Sequence, residues 1–360
     1  MSGRETDAAD WMRSIMEHLR LDEMDSYTQN ILPEKVTFSS LVEEVCEEGL
    51  QALDGHKVLQ WISDSFFYEL SVSKDLFLQL FLFVAVFAVL REILDTRENY
   101  VSHTGFFLIY GTMMGTLLQS FALISDVAND TIQRLMEYLG LLVPAYATTL
   151  FVSGNSASAA AFYEFEFLMM TLIGWAMKTC FVPGIHIILL LRFLDQLFEE
   201  QRLSKLAELL EQGIHLLLKS GMALVVSLNC VQSLITPAKD RLSESMVVQS
   251  LSAVPGVGSV IGSAGDILLS CGLLIKNSVG VIAVVVLLLI GVMPVVKVFA
   301  FCVIYRTLAA LLQPVGDQRL VNCIYDTARA GSLYLKILVD VFIYFFLSIA
   351  MATASTSFIF

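Results

Sequence analysis

The chain has 360 residues, 56% of them hydrophobic and only 16% charged, with a mean hydropathy of +0.71. Soluble domains carry about 25% charged residues, so these figures exclude an ordinary soluble protein and indicate a membrane protein. The net charge of -13 is uneven: residues 1–75 hold six Lys/Arg and sixteen Asp/Glu, a net of -10, which leaves -3 for the other 285 residues. An acidic head of this kind is repelled by nucleic acid and by anionic lipid, so no nucleic-acid partner is expected.

In chain order, residues 1–70 form an acidic region with amphipathic helical character (WMRSIMEHLRLDEM, FSSLVEEVCEEGLQAL) and no apolar signal-peptide core. Either the apolar run 76–90 acts as the first insertion signal or the true start lies upstream. A spanning helix needs about 20 mostly apolar residues, and the charges show where such helices fit. Between Glu98 and Asp126 the one ionisable group is His103. Uncharged stretches also lie between Glu137 and Glu164, Lys219 and Lys239, and Lys276 and Lys297, and after Asp340. These five are spans or span-sized hairpins. Shorter runs at 76–90, 167–177, 179–194 and 298–312 raise the expected total to about seven, within a range of six to nine. The predicted fold is therefore all-α and polytopic, with leading transmembrane helices over 71–138.

A shift of 111 residues superposes Pro144 on Pro255, Pro183 on Pro294, Ser153-Gly154-Asn155 on Ala264-Gly265-Asp266, and His186 on Lys297. Each half thus contains V-P-x8-[SA]-G-[ND]. A slightly larger shift pairs Gln201-Arg202-Leu203 with Gln318-Arg319-Leu320 in polar connections. Two pairs among only seven prolines at one offset indicate an internal duplication, with units at 139–250 and 251–360. Each unit reads as a small-residue segment, a hydrophobic stretch broken near a proline, a polar connector and a final span. Broken backbone at membrane depth is tolerated only where protein or a water-filled cavity covers it, and transporter folds place such segments in matching repeats around a central path. The conduit candidates are therefore Pro144, Gly154, Asn155, Pro183 and His186 in the first unit. In the second they are Pro255, Gly256, Gly258, Gly262, Gly265, Asp266, Pro294 and Lys297. The same segments also fit ordinary helices packed through small residues.

Charges within spans cost about 2.5–3.5 kcal/mol at the helix centre. Those to be explained are Glu164, Glu166, Lys178, Arg192, Lys219, Asp266, Lys276, Lys297, Arg306, Lys336 and Asp340. Lys178, Lys219, Lys276 and Lys336 lie close enough to span ends to snorkel. Lys336 and Asp340, four apart, suit a pair on one helix face. No P-loop, HExxH or G-x-S-x-G occurs, and the run G-V-G-S-V-I-G at 256–262 follows no βαβ strand, so neither an enzyme nor a cofactor is expected. The six cysteines are scattered without metal spacing and read as buried apolar side chains.

The run KNSVGVIAVVVLLLIGVMPVVKVFAFCVIYRTLAALLQPVGDQRLVNCIYDTA, residues 276–328, resembles the stage III sporulation protein AE family of endospore-forming Firmicutes. VPGVGSVIGSAGDILLSCGLLIKNSVG before it and LVPAYATTLFVSGNSASAAAF in the first half are similar to the same family, and the likeness covers about residues 75–351. It implies a polytopic protein of the mother-cell membrane around the engulfed forespore. There it would join a transenvelope channel complex with the other proteins of the stage III sporulation A operon and a forespore partner. It implies no enzymatic activity. A homo-oligomer is compatible with it. Members usually carry an N-terminal signal sequence, and this chain departs from that pattern.

Overall fold

In the computed structural model the described residues are 24–26, 38, 39, 78, 81, 82, 85, 86, 89, 99–197, 203–252, 258–314 and 316–355. Within the helices, side chains are described over 107, 108, 110–197, 203–232, 277–314 and 316–353. Most of the acidic region and of the run 76–90 therefore lies outside the described residues, as do Pro255 and Gly256.

All regular structure among the described residues is helical: α1 Asn99–Val152, α2 Ser156–Ala176, α3 Val182–Leu197, α4 Ser204–Ser252, α5 Gly258–Leu312 and α6 Gln318–Ser355. The run VIAVVVLLLI in α5 is rich in β-branched residues that favour strands in water. In hydrocarbon a lone strand has no partner for its backbone groups, and the helix satisfies them within the segment. Among the described residues five stretches are long and apolar enough to cross a membrane: Tyr110–Val152, Ser156–Leu197, Ser204–Gln232, Asn277–Leu312 and Gln318–Thr353. The expected total of about seven also counted the run 76–90, most of which lies outside the described residues, and within them helices run on. α1 joins the uncharged run 99–125 to residues 138–152, and at 54 residues it extends about 80 Å at 1.5 Å per residue.

Local breaks have identifiable causes. Pro183 has no N–H to donate to the turn before it, and a π-helical turn over Met177–Phe181 absorbs the mismatch between α2 and α3, with the Val182 N–H reaching back to the Met177 carbonyl. Pro144 and Pro294 lie inside α1 and α5, which continue as helices through them. The connector after α3 is tied by Asp195 Oδ1, which accepts the Leu203 N–H at 2.8 Å. Asp317 caps α6 by accepting the Arg319 N–H at 2.9 Å.

α6 is the hub, packing most extensively against α5 and also against α1, α3 and α4. Its core-facing residues Leu333, Ile337, Leu338, Phe345 and Ile349 are buried. The α5–α6 seam depends on glycine. A Cβ on Gly280 would strike the Thr353 side chain, one on Gly291 the Phe342 ring, and one on Gly331 would sit 3.0 Å from the Phe301 ring. The missing side chains let the two backbones approach, as in other membrane helix pairs. We expect Gly291→Val to lower stability by about 1–3 kcal/mol through overpacking, read as a lower midpoint of thermal unfolding in detergent. Gly213→Ala, at a position with no neighbour within 4 Å, is expected to leave the midpoint unchanged or raise it.

Candidate functional site

The motif Ser153-Gly154-Asn155 forms the tip of the α1–α2 hairpin. Gly154 takes φ 86°, its N–H bonds to the Phe151 carbonyl at 3.1 Å, and the Asn155 N–H bonds to the Leu150 carbonyl at 3.0 Å. This pattern is the Schellman helix end, which calls for a residue without Cβ. Asn155 is buried, with its amide donating to the Ser153 carbonyl and hydroxyl at 3.2 and 3.1 Å. The uncharged run 138–163 is thus a hairpin bend. In the second half the corresponding Gly262, Gly265 and Asp266 lie in the unbroken helix α5, of which Gly258 is the first residue.

The remaining candidates do not converge on one point. Pro144, Pro183 and Lys297 are exposed and Pro294 is half-buried. His186 is packed inside, its Nδ1 2.8 Å from the Val182 carbonyl and 3.3 Å from the Tyr334 hydroxyl, with its ring edge-on to Phe121.

The structure instead gathers charges that sequence spacing leaves apart. Arg192 of α3 reaches Glu211 of α4 at 2.5 Å and Asp326 of α6 at 3.2 Å, and Arg329 of α6 reaches the other Glu211 oxygen at 2.7 Å. The side chains of Arg192, Glu211 and Asp326 are only 12%, 7% and 8% exposed. The same seam continues along α4 and α6: His215 lies four residues beyond Glu211, and Lys336 Nζ sits 3.1 Å from His215 Nδ1. Lys336 therefore meets α4, and it makes no ion pair within 4 Å with Asp340. Glu211, Asp326 and Arg329 were not legible as a site, since their partners are separated by up to 134 residues. Only the lone arginine in an apolar helix pointed to it.

Cross-helix contacts give each helix a register against α6. α1 runs parallel, with Tyr110 at Cys323, Ser125 at Tyr334 and Tyr146 at Thr353. α4 is also parallel, with Glu211 at Arg329 and His215 at Lys336. α2 and α3 run antiparallel, with Glu166 at Ser348, His186 at Tyr334 and Arg192 at Asp326. α5 is antiparallel through Gly280 at Thr353 and Gly291 at Phe342. On these registers the exposed Asp126, Asp130, Lys178, Lys219 and Lys297 all fall within about one helical turn of Leu338, level with Lys336 and Asp340. Charges from five separate segments form one belt. Arg134 and Glu137, also exposed on α1, fringe it.

Below the belt, Glu166 of α2 is 1% exposed and accepts hydrogen bonds from the Tyr344 hydroxyl at 3.3 and 3.4 Å and from Ser348. Beside it a cavity of about 250 Å³ opens between α2, the π turn, α4 and α6. Its lining is apolar (Met169, Trp175, Met177, Leu218, Met222) except for Asp340 and Tyr344. Among the described residues no group of three or more His, Cys, Asp or Glu is placed to hold a metal. Cys302 and Cys323 are buried as expected and Cys180 is half-buried, whereas Cys230 is exposed on α4.

Arg192→Met removes the cation between two buried carboxylates and is expected to cost about 3–5 kcal/mol. Lys205→Ala, at an exposed pair with Glu208, should change stability by less than about 1 kcal/mol. Parallel thermal unfolding of the two variants in detergent checks the contrast.

Residues 36–356 match the family described as stage III sporulation protein AE. The chain is similar to the stage III sporulation protein AE of Bacillus subtilis (strain 168), with 24% identity over 348 residues that cover 92% of this chain and 85% of the relative. No solved structure matches it. With the family pattern running through every described helix from α1 to α6, the chain belongs to the stage III sporulation protein AE family.

Proposed function

We propose that this chain is a non-enzymatic, multi-pass membrane subunit of the channel complex joining mother cell and forespore, needed for late forespore development. Its place is the mother-cell membrane surrounding the forespore. Its partners are the other proteins of the stage III sporulation A operon and the forespore component, with self-association compatible with this role. The observation that carries the reading is membership of a sporulation family by a chain with five membrane-length apolar helices. A bundle most of whose charges are gathered into one belt and one internal seam, Glu164 and Glu166 of α2 excepted, suits permanent residence in a bilayer.

The duplicated architecture is part of the same reading. A long stretch carrying a proline, a short polar connector and a second span occur twice, as α2–α3 then α4 and as α5 then α6. The repeat-equivalent Pro183 and Pro294 fall at nearly the same level beside α6, which supports an ancestral copy. The small-residue segment 144–161 remains the proposed conduit element at membrane depth, with 255–272, which precedes Lys276 of α5, as its mouth outside the layer. A water-soluble thiol reagent should label cysteines placed at Gly258, Gly262 and Asp266; if none reacts, no aqueous path runs there and the chain is a scaffold.

Deletion of the gene is expected to leave engulfment intact and to stop forespore development afterwards, with plasmid-borne wild type restoring spores. Normal spore yield in the deletion strain would overturn the assignment. A second reading, ion-coupled transport of a small solute, is favoured by the carboxylate of Glu166 within a span. Uptake by the reconstituted chain alone distinguishes it.

A further inference from the structure

The charge belt fixes depth. On the side of the belt towards Thr353, α5 has 20 uncharged residues between Lys297 and Lys276, α4 has 19 between Lys219 and Lys239, and α6 has 15 from Val341 to its end at Ser355. Twenty helical residues extend about 30 Å, the thickness of a bilayer's hydrocarbon core. The α1–α2 hairpin tip at Gly154 reaches the far end of the same layer, since Tyr146 is already level with Thr353. The belt therefore marks one membrane face. Ser348 lies eight residues beyond Asp340, about 12 Å deeper, so the Glu166 carboxyl held by Ser348 and Tyr344 sits near the middle of the hydrocarbon.

A carboxylate in that position needs a cation or must become neutral. Among the described residues no Lys, Arg or His pairs with Glu166. The titratable groups on the neighbouring helices are otherwise engaged or turned away. Glu164 on α2 itself, Arg134 and Glu137 of α1 and Lys219 of α4 are exposed, and Tyr146 of α1 bonds to Thr353. His215 of α4 meets Lys336. What remains is α6, where Asp326, Arg329, Lys336, Asp340, Tyr344 and Ser348 fall within an arc of about 120° at 3.6 residues per turn. Asp340 and Tyr344 both line the cavity, and Tyr344 also bonds to Glu166. Asp340 and Tyr344 are the cavity's two polar lining groups, so water entering it is held by them.

We propose that Glu166 is a proton-exchange site in the middle of the membrane, loaded and unloaded from the belt face through Asp340, the cavity and Tyr344. The ionised carboxylate accepts from both hydroxyls. The incoming proton passes from water to Asp340 and along the cavity to the Tyr344 hydroxyl, which accepts it while passing its own proton to a Glu166 oxygen, and leaves by the reverse of that route. Once Glu166 carries it, one of the two hydroxyls must turn to accept, so each exchange remakes the α2–α6 contact. The inference rests on the chain crossing a membrane and is independent of the complex proposed above.

The test is infrared difference spectroscopy on the full chain in lipid nanodiscs at about pH 7, where exposed glutamates with pKa near 4.3 are ionised. The wild type should show the carbonyl stretch of a protonated carboxylic acid, shifted when glutamates carry 13C carboxyls and lost in Glu166→Gln. On transfer to D2O the band should shift, and Asp340→Asn should slow that shift at least ten-fold. Wild type with no 13C-glutamate-sensitive band overturns the site without needing any variant to fold. A band whose exchange is unchanged in Asp340→Asn overturns the route. Neither outcome touches the sporulation phenotype, so this inference and the subunit assignment fail separately.

Discussion

The guanidinium of Arg192 holds one carboxylate from α4 and another from α6, and the order of the bundle depends on that three-way contact. Apolar helices have little to choose between one rotation and another when each face is equally greasy. A buried fork that must meet Glu211 and Asp326 at once leaves one rotation for α3, one for α4 and one for α6. Arg329 on the second Glu211 oxygen completes the carboxylate. Such a group stabilises little in total, because desolvation offsets most of the Coulomb gain, but breaking it is expensive. It therefore specifies arrangement more than it adds stability.

Around that fixed point the glycines of α5 and the hydroxyls of α1 set the remaining registers. Gly280 and Gly291 admit Thr353 and Phe342 of α6, while Ser125 and Tyr146 reach Tyr334 and Thr353 by hydrogen bonds of 2.9 and 2.8 Å. α1 and α5 are thus located against α6 by contacts widely spaced along their lengths. Residues far apart in sequence, such as Lys178, Lys219 and Lys297, arrive at one level as a result.

The helical class and most of the spans were legible because uncharged runs of span length depend only on composition. The polar connection before the last span was legible in place but not in extent: Gln318-Arg319-Leu320, expected within it, forms the first turn of α6, while Gln201 and Arg202 lie outside the described residues. What the sequence hid was continuity. Pro144 and Pro294 read as breaks, yet only Pro183 is accompanied by a disturbed turn. A proline's missing hydrogen bond bends or disturbs a helix according to how its neighbours pack, and packing is not local. For the same reason Ser153-Gly154-Asn155 turns the chain whereas Ala264-Gly265-Asp266 does not. The belt needed no new residue types, since Lys178, Lys219 and Lys336 each read as tolerable near a span end and Lys297 as a conduit candidate. Their shared level is a tertiary fact, visible only once α6 supplies a common scale.

The helix that answers polar groups of α1, α2, α3 and α4 is also the latest of the six in chain order. Until α6 emerges from the ribosome, Arg192 and Glu211 have each other but Tyr110, Ser125 and Glu166 lack their partners on Cys323, Tyr334 and Ser348. The earlier helices must therefore wait in the insertion machinery or the bilayer as a loosely arranged set. Docking of α6 completes these contacts, and any translational pause before residue 318 lengthens the interval in which the bundle stands without them.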